Sequence, residues 1–462
     1  MGAGKSTLGP QLAARLGRPF VSVDAVVEEQ AGTTVPQIFA DRGQDAFREL
    51  EERAAIEALT RRVPAVVELG GGALGADSTR VALAEHAFTL LLETTPEEAW
   101  ERVSSEDRPL ARDPGEFWDL FVERTPLYEA VADGHARDLD GAVLAAAGVH
   151  VWEGAVDGLA GLIPGEGSVE LVVDAGVEPL HGDRARAALD ERLAATHVVP
   201  AGERAKTLAE AERLWSTIRL DRGGTLVALG GGSTIDLAGL AAATYLRGVA
   251  WVPVPTTLLA QVDAAIGGKT ALDIPVGKNL VGAFHWPARV IVDPELLGTL
   301  PADELENGLA EVVKTGLLAG EPLWELDRGA QVRRCAEFKA AICLRDPYDR
   351  GERAQLNLGH TFAHALEAAS DFTLPHGKAV ALGLLAALRL SELDAEVRAV
   401  EEVLRPEPVR VDREAAWRAL ERDKKRVDGR TRLVLLGAPG RPRLNVEVDD
   451  AIVRAALDAL IA

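Results

Sequence analysis

Cysteine is almost missing from this chain. Two residues, Cys335 and Cys343, among 462 leave no disulfide framework to read and point to a reducing, cytoplasmic setting. Aromatic side chains are scarce at 5%, while Ala, Gly, Leu and Val dominate. That balance disfavours an all-β sandwich and favours α/β layers packed with small aliphatic groups. Basic residues are outnumbered 50 to 72, giving a formal net charge of −22, which argues against nucleic acid or an anionic membrane as the main partner. No stretch approaches the ~20 apolar residues that span a bilayer. The N-terminus reads Met-Gly-Ala-Gly-Lys, which is not a signal peptide. What remains is 47% hydrophobic and 26% charged, the composition of a packed globular chain with roughly two to four domains.

Apolar runs at 19–23, 65–69 and 88–92 are each followed by a small or polar residue and an amphipathic stretch, the rhythm of a parallel sheet with crossover helices. Residues 1–150 are therefore expected to form one α/β domain. The segment 151–167, rich in Ala and Gly, is expected to be a connection. A second strand series at 169–174, 226–229, 249–254 and 290–293 implies an α/β domain over 168–300. Beyond Pro301 helical periodicity takes over, so 301–462 is expected to be mainly helical.

Residues 2–7, Gly-Ala-Gly-Lys-Ser-Thr, are the second half of a P-loop. Gly2 and Gly4 let backbone N–H groups close on phosphate oxygens, Lys5 reaches the β- and γ-phosphates, and Ser6 ligates Mg²⁺. A helix from Thr7 to 16 offers its positive end to the anion. Such a tripeptide core also arises by chance. Its surroundings, MGAGKSTLGPQLAARLGRPF (1–20), Asp24, GQDAFRELE (43–51), LGGGA (69–73), RPL (108–110) and ERTPLY (123–128), resemble shikimate kinase in order. The resemblance implies an ATP- and Mg²⁺-dependent kinase. Asp24, Arg48, Gly71, Gly72 and Arg124 would hold shikimate, and Arg108 would lie on a lid over ATP. Two departures stand out. The family's Asp-x-Asp after the second strand is Ser22-Val23-Asp24 here, removing a carboxylate that helps organise Mg²⁺. The chain also opens inside the P-loop, so the family's first strand is expected to be missing and the kinase to be poor, through a late start site or a degenerate half-domain.

In the second half, residues 226–239, LVALGGGSTIDLAG, read as a buried strand, a glycine turn and a helix start, a place for a pyrophosphate to approach backbone. The turn is not G-x-G-x-x-G. His360 and His364 lie four apart, Glu311 and Lys314 three apart, each pair on one helical face, and a helical His pair alone is weak evidence for a metal. The blocks PAGERAKT (200–207), TYLRG (244–248), PVPTTLLAQVDAAIGGKTALD (253–273), GKNLVGAFHWP (277–287), NGLAEVVKTG (307–316), LNLGHTFAHALE (356–367) and LPHGKA (374–379) resemble 3-dehydroquinate synthase over about 300 residues. The resemblance implies zinc or cobalt held by Glu311, His360 and His376, with His364 as acid/base. Asp174, Glu203, Lys206, Gly231, Gly232, Asp236, Thr256, Thr257, Lys278 and Asn307 would contact NAD. Arg247, Asp263, Lys269, Asn279, Lys314, Lys339, Arg353, Asn357 and Lys424 would meet the substrate, with Lys425 an alternative to Lys424. The implied substrate is DAHP, converted to 3-dehydroquinate by transient oxidation, phosphate loss, reduction and aldol closure, with NAD regenerated.

One position departs from this pattern. Residues 346–353 read Asp-Pro-Tyr-Asp-Arg-Gly-Glu-Arg, so the family's acid/base Glu is replaced by the shorter Asp349. Another sugar-phosphate cyclase or a metal-dependent polyol dehydrogenase would share these features, and the N-terminal region would serve equally as a non-catalytic module. The family implies a homodimer.

Overall fold

The expected apolar runs become strands because β-branched and leucine side chains suit a buried pleat. A computed structural model of the protein describes residues 2–103, 113–275, 277–422, 426–427 and 430–462. The chain divides into two units, 1–148 and 149–462.

In the first unit β1 (Phe20–Ser22) pairs with β2 (Val66–Glu68), and β3 (Leu90–Leu92) with β4 (Gly134–Ala136), each pair parallel. A core of Val23, Val27, Ile38, Phe47, Ala54 and Ala55 lies beside the first pair. The P-loop helix spans Lys5–Arg15, two residues earlier than expected. Gly4 caps it in the left-handed region at φ 85°, where a side chain would be strained.

The second unit begins with β5 (Val149–Val151), which pairs in parallel with β12 (Val290–Val292). The segment 151–167 therefore differs from the expected connection. Its Ala155, Val156, Leu159 and Ile163 are buried with the strands of this unit; small apolar residues that resemble a linker in composition serve here as packing. The main sheet is fully parallel in the order β7 (Leu193–Val199), β6 (Val169–Asp174), β8 (Thr225–Gly230), β9 (Ala250–Pro255). β6 and β8 are buried along their whole length, as strands covered on both faces must be. Glu170 tolerates that burial because it pairs with His197 Nε2 at 2.6 Å and accepts from the Arg219 N–H at 2.8 Å. A hairpin of β10 (Lys269–Ile274) and β11 (Gly277–Phe284) follows.

Residues 301–462 are mainly helical, with one correction. They also contain β13 (Arg426–Val427), β14 (Arg430–Ala438) and β15 (Arg441–Asp449), an antiparallel sheet. The Leu433–Leu436 segment of β14 joins the helical core. Two helices matter most, His360–Ala369 and His376–Leu390. A Cβ on Gly383 would sit 2.1 Å from the Gly359 carbonyl oxygen, so this glycine sets how closely the second helix approaches the residue preceding His360. Gly383→Ala is expected to cost about 1–3 kcal/mol by overpacking, measured by denaturant unfolding, and to weaken metal retention.

Candidate active sites

Three elements build the metal-ligating cluster. Glu311 sits mid-helix in Ala302–Ala319, while His360 and His376 are the first residues of their helices. All three offer ligand atoms within 4.8 Å of one another. Glu311 is 1% exposed, and its Oε1 lies 3.6 Å from His360 Nε2 and 3.4 Å from His376 Nε2. That oxygen finds no hydrogen-bond partner among the described residues. Both Nδ1 atoms are engaged elsewhere, His360 with the Leu358 carbonyl at 3.1 Å and His376 with Glu367 Oε1 at 3.0 Å. The two Nε2 atoms and a buried carboxylate oxygen thus converge, and this donor set fits Zn²⁺ or Co²⁺ with positions left open.

The electrostatics agree at Glu311 and His360 but not at His376. There burial opposes the charge, but Glu311 and Glu367 overcome it and push the imidazole up to about 10, so that ring has to shed a proton to serve as a ligand. Burial opposes ionisation of Glu311, but Lys314 and the two histidines hold its carboxyl well below the ordinary value. Burial and the Lys314 charge push His360 well below its ordinary range, keeping it neutral, as a ligand must be. Lys314 stays charged because Glu311 and Asp263 outweigh its own burial. The His364 ring lies 5.4 Å from that of His360, edge to face. Glu367 was not foreseen, yet residues 360, 364 and 367 share one helical face, and its bond orients His376.

The cationic residues come together in pairs. Lys339 Nζ contacts Asp263 at its carbonyl (2.7 Å) and at Oδ1 (2.8 Å). Lys269 Nζ donates to Asp349 Oδ2 at 2.5 Å, so the shorter acid still reaches across from its loop. Arg353, 2% exposed, spends Nη1 on the carbonyls of Gly267 (3.0 Å) and Pro347 (3.1 Å). Asn357 ends a 3-10 turn, Glu352–Asn357. Arg247 is exposed and makes no ion pair among the described residues. Lys424, Lys425 and Arg108 lie outside the described residues.

Around the glycine turn, Asp174 at the end of β6 accepts from the N–H groups of Gly176 (2.7 Å) and Gly202 (3.1 Å) and from Thr234 Oγ1 (3.2 Å). It holds together the loops that flank the turn. Lys206 Nζ bridges Asp236 Oδ2 (2.8 Å) and Asn279 Oδ1 (2.5 Å), tying the sheet edge to the hairpin. Burial raises Asp236 to about 6 despite Lys206. Glu203 meets Ser233 Oγ at 2.7 Å and Lys278 Nζ at 3.5 Å. A Cβ on Gly231 or Gly232 would come within 3.1 Å of Thr257 or 3.3 Å of Ala264, so both keep the turn open. Thr256 Oγ1 is buried without a hydrogen-bond partner among the described residues. Asn307 instead bonds the Gly377 N–H through Oδ1 and Glu304 through Nδ2 (3.3 Å), holding the residue after His376.

In the first unit a cavity of about 410 Å³ is lined by Arg48, Glu51, Gly71, Gly72, Arg124 and Tyr128. Asp24 does not line it, though a Cβ on Gly70 would lie 3.2 Å from Asp24 Oδ1 and also close to the cavity residue Glu51. A Cβ on Gly72 would land 2.3 Å from the Arg48 guanidinium, so that glycine makes room for the arginine. Glu51, another residue not foreseen, pairs with Arg48, and burial raises its carboxyl although Arg48 and Arg124 pull the other way. A second cavity, of about 360 Å³, is lined by Ala3, Lys5, Gly70, Gly71 and Thr125 among others. Lys5 of the P-loop and Gly71 of the first cavity both border it.

A parallel sheet with a glycine turn, and a carboxylate–imidazole cluster on helices that could hold a metal ion, place the second unit among α/β enzyme folds. The comparisons make this specific. Residues 196–307 and 308–426 match the N-terminal and C-terminal family models of 3-dehydroquinate synthase, and residues 1–143 match that of shikimate kinase. The 3-dehydroquinate synthase of Symbiobacterium thermophilum is 43% identical over 324 residues, 63% of this chain and 90% of that protein. That of Rhodospirillum rubrum is 43% identical over 331 residues, 64% and 86% respectively. The chain belongs to the 3-dehydroquinate synthase family, joined to a shikimate kinase region, and so unites a phosphate lyase with a phosphotransferase. Among solved structures, a 2-deoxy-scyllo-inosose synthase shares the fold (TM-score 0.62, 24% identity, 67% of this chain and 95% of that one). ValA, the 2-epi-5-epi-valiolone synthase of Streptomyces hygroscopicus subsp. jinggangensis with NAD⁺ and Zn²⁺ bound, aligns with TM-score 0.59 at 26% identity, covering 68% and 96%.

Glu367→Gln is expected to lower zinc affinity about 10–100-fold with little change in fold, read by metal-competition titration.

Proposed function

We propose that the second unit converts DAHP to 3-dehydroquinate and phosphate, and that the first phosphorylates shikimate with ATP and Mg²⁺. The observation that carries the synthase reading is the Glu311–His360–His376 cluster, with Lys314 against Glu311. When bound, zinc would supply a Lewis acid and NAD a hydride acceptor that is regenerated. ValA's NAD⁺ and Zn²⁺ support both cofactors. Residues 168–300 would serve the nucleotide and 301–462 the metal. Asp174, Glu203, Lys206, Gly231, Gly232, Asp236, Thr256, Thr257, Lys278 and Asn307 would line the NAD site. Lys269, Lys314, Lys339 and Arg353 would grip phosphate and carboxylate, helped by Arg247, Asp263, Asn279, Asn357 and Lys424. His364 and Asp349 would move protons. In the kinase, Asp24, Arg48, Gly71, Gly72 and Arg124 would hold shikimate, while Gly2, Gly4, Lys5, Ser6, Thr7 and Arg108 would hold ATP. Exposed Leu280, Val281 and Phe284 on β11 give an apolar strand that supports a homodimer.

Incubation with DAHP and catalytic NAD⁺ is expected to release phosphate without net NADH, to stop on chelation, and to resume with Zn²⁺ or Co²⁺. Net NADH accumulation would sink the cyclase in favour of a polyol dehydrogenase. Preference for sedoheptulose 7-phosphate over DAHP would reassign the substrate.

A further inference from the structure

The P-loop serine has a partner that the sequence did not suggest. Ser6 Oγ donates to Glu68 Oε1 at 2.6 Å. Ser6 lies in the first turn of helix Lys5–Arg15, and the cap position belongs to Gly4, so this bond is not a helix cap. Glu68 ends β2, Ser22 ends β1, and the two face each other in the parallel register. Position 22 is where the kinase family's pattern carries the carboxylate that organises Mg²⁺. Registered residues on adjacent strands send their side chains to the same face. A carboxylate missing from the end of β1 is therefore present about 5 Å away on the neighbouring strand, on a side chain one methylene longer than aspartate.

The bond direction matters. A hydroxyl has one donor and two lone pairs. With its proton directed at Glu68, Ser6 Oγ presents only lone pairs to a cation. Mg²⁺ keeps several waters when protein-bound, and a carboxylate at this place can accept from them.

We infer that Glu68 is the Mg²⁺-positioning carboxylate of the nucleotide site, acting through Ser6 and metal-bound water in place of the group absent at position 22. The inference rests on the kinase reading above, and its test separates the two. ADP is titrated into the full chain by calorimetry, with and without Mg²⁺, and Mn²⁺ binding in the presence of ADP is followed by electron paramagnetic resonance. Glu68→Gln is expected to bind metal-free ADP no more weakly, while the Mg²⁺ enhancement and Mn²⁺ affinity fall about 10-fold or more. Adding Ser22→Asp to Glu68→Gln is expected to restore them. An unchanged Mg²⁺ enhancement in Glu68→Gln overturns the assignment. So does an equal loss of metal-free binding, which marks a general collapse of the site. Failure of Ser22→Asp to restore the metal effect, with metal-free binding intact, overturns the exchange of positions. If the unsubstituted chain binds no ADP under either condition, the nucleotide reading itself fails and this assignment falls with it.

Discussion

A carboxylate shut away from water has to be answered by positive charge, and the helical half of the second unit is organised around that demand. Glu311 is 1% exposed. Isolated, an ionised side chain at such a depth costs several kcal/mol, by order of magnitude. Lys314 one helical turn away answers it from the same helix, and two imidazoles arrive from separate helices. Each imidazole can face Glu311 only because its far nitrogen is held, by Leu358 for one and Glu367 for the other. The close approach at Gly359 and Gly383, and the tether from Asn307 to Gly377, then read as means of holding two helix starts at one carboxylate.

The glycine-turn side follows the same logic with a different cation. Lys206 is 4% exposed and remains protonated, since Asp236, Glu203 and Asp273 together outweigh its burial. It joins the helix behind the glycine turn to the β10–β11 hairpin. Lys269, whose partner is Asp349, starts that hairpin. Rigid placement of the glycine turn and of Lys269 are thus linked through one buried ammonium.

Much of this was legible in the sequence, for a physical reason. Strands covered on both faces read as unbroken apolar runs, and β6, β8, β9 and β12 fall where such runs occur. The β14–β15 hairpin was missed because β15 alternates exposed with half-buried residues and fully buries none of them, so it lacks a continuous apolar signal. The segment 151–167 was misjudged because Ala and Gly pack as readily as they link. Within the metal site, the ligands follow from family motifs, and Glu367 could have been found from helical periodicity alone. Glu68 could not. Its relation to Ser22 and Ser6 exists only through strand register and a contact 62 residues apart.

The chain's net charge of −22 sits oddly with the proposed substrate, an anion bearing a phosphate and a carboxylate, until the cations are considered with their partners. Lys314, Lys339 and Lys269 each lie against an acid, namely Glu311, Asp263 and Asp349. Burial works against ionisation of Asp263, yet Lys339 and Lys314 keep it charged, and Glu311 and Asp263 in turn hold Lys314 protonated against its own burial. For Lys314 and Lys339, which are buried, the cost of leaving water is therefore met during folding, against fixed carboxylates, whereas Lys269 stays exposed beside Asp349. On the proposed function, an anionic substrate would find Lys314 and Lys339 already desolvated and oriented, so less reorganisation would remain when it binds. A bulk acidic protein can hold such a site because screening limits the reach of its distant surface charges to about 8–10 Å. The pairs that set the local field lie within hydrogen-bonding distance.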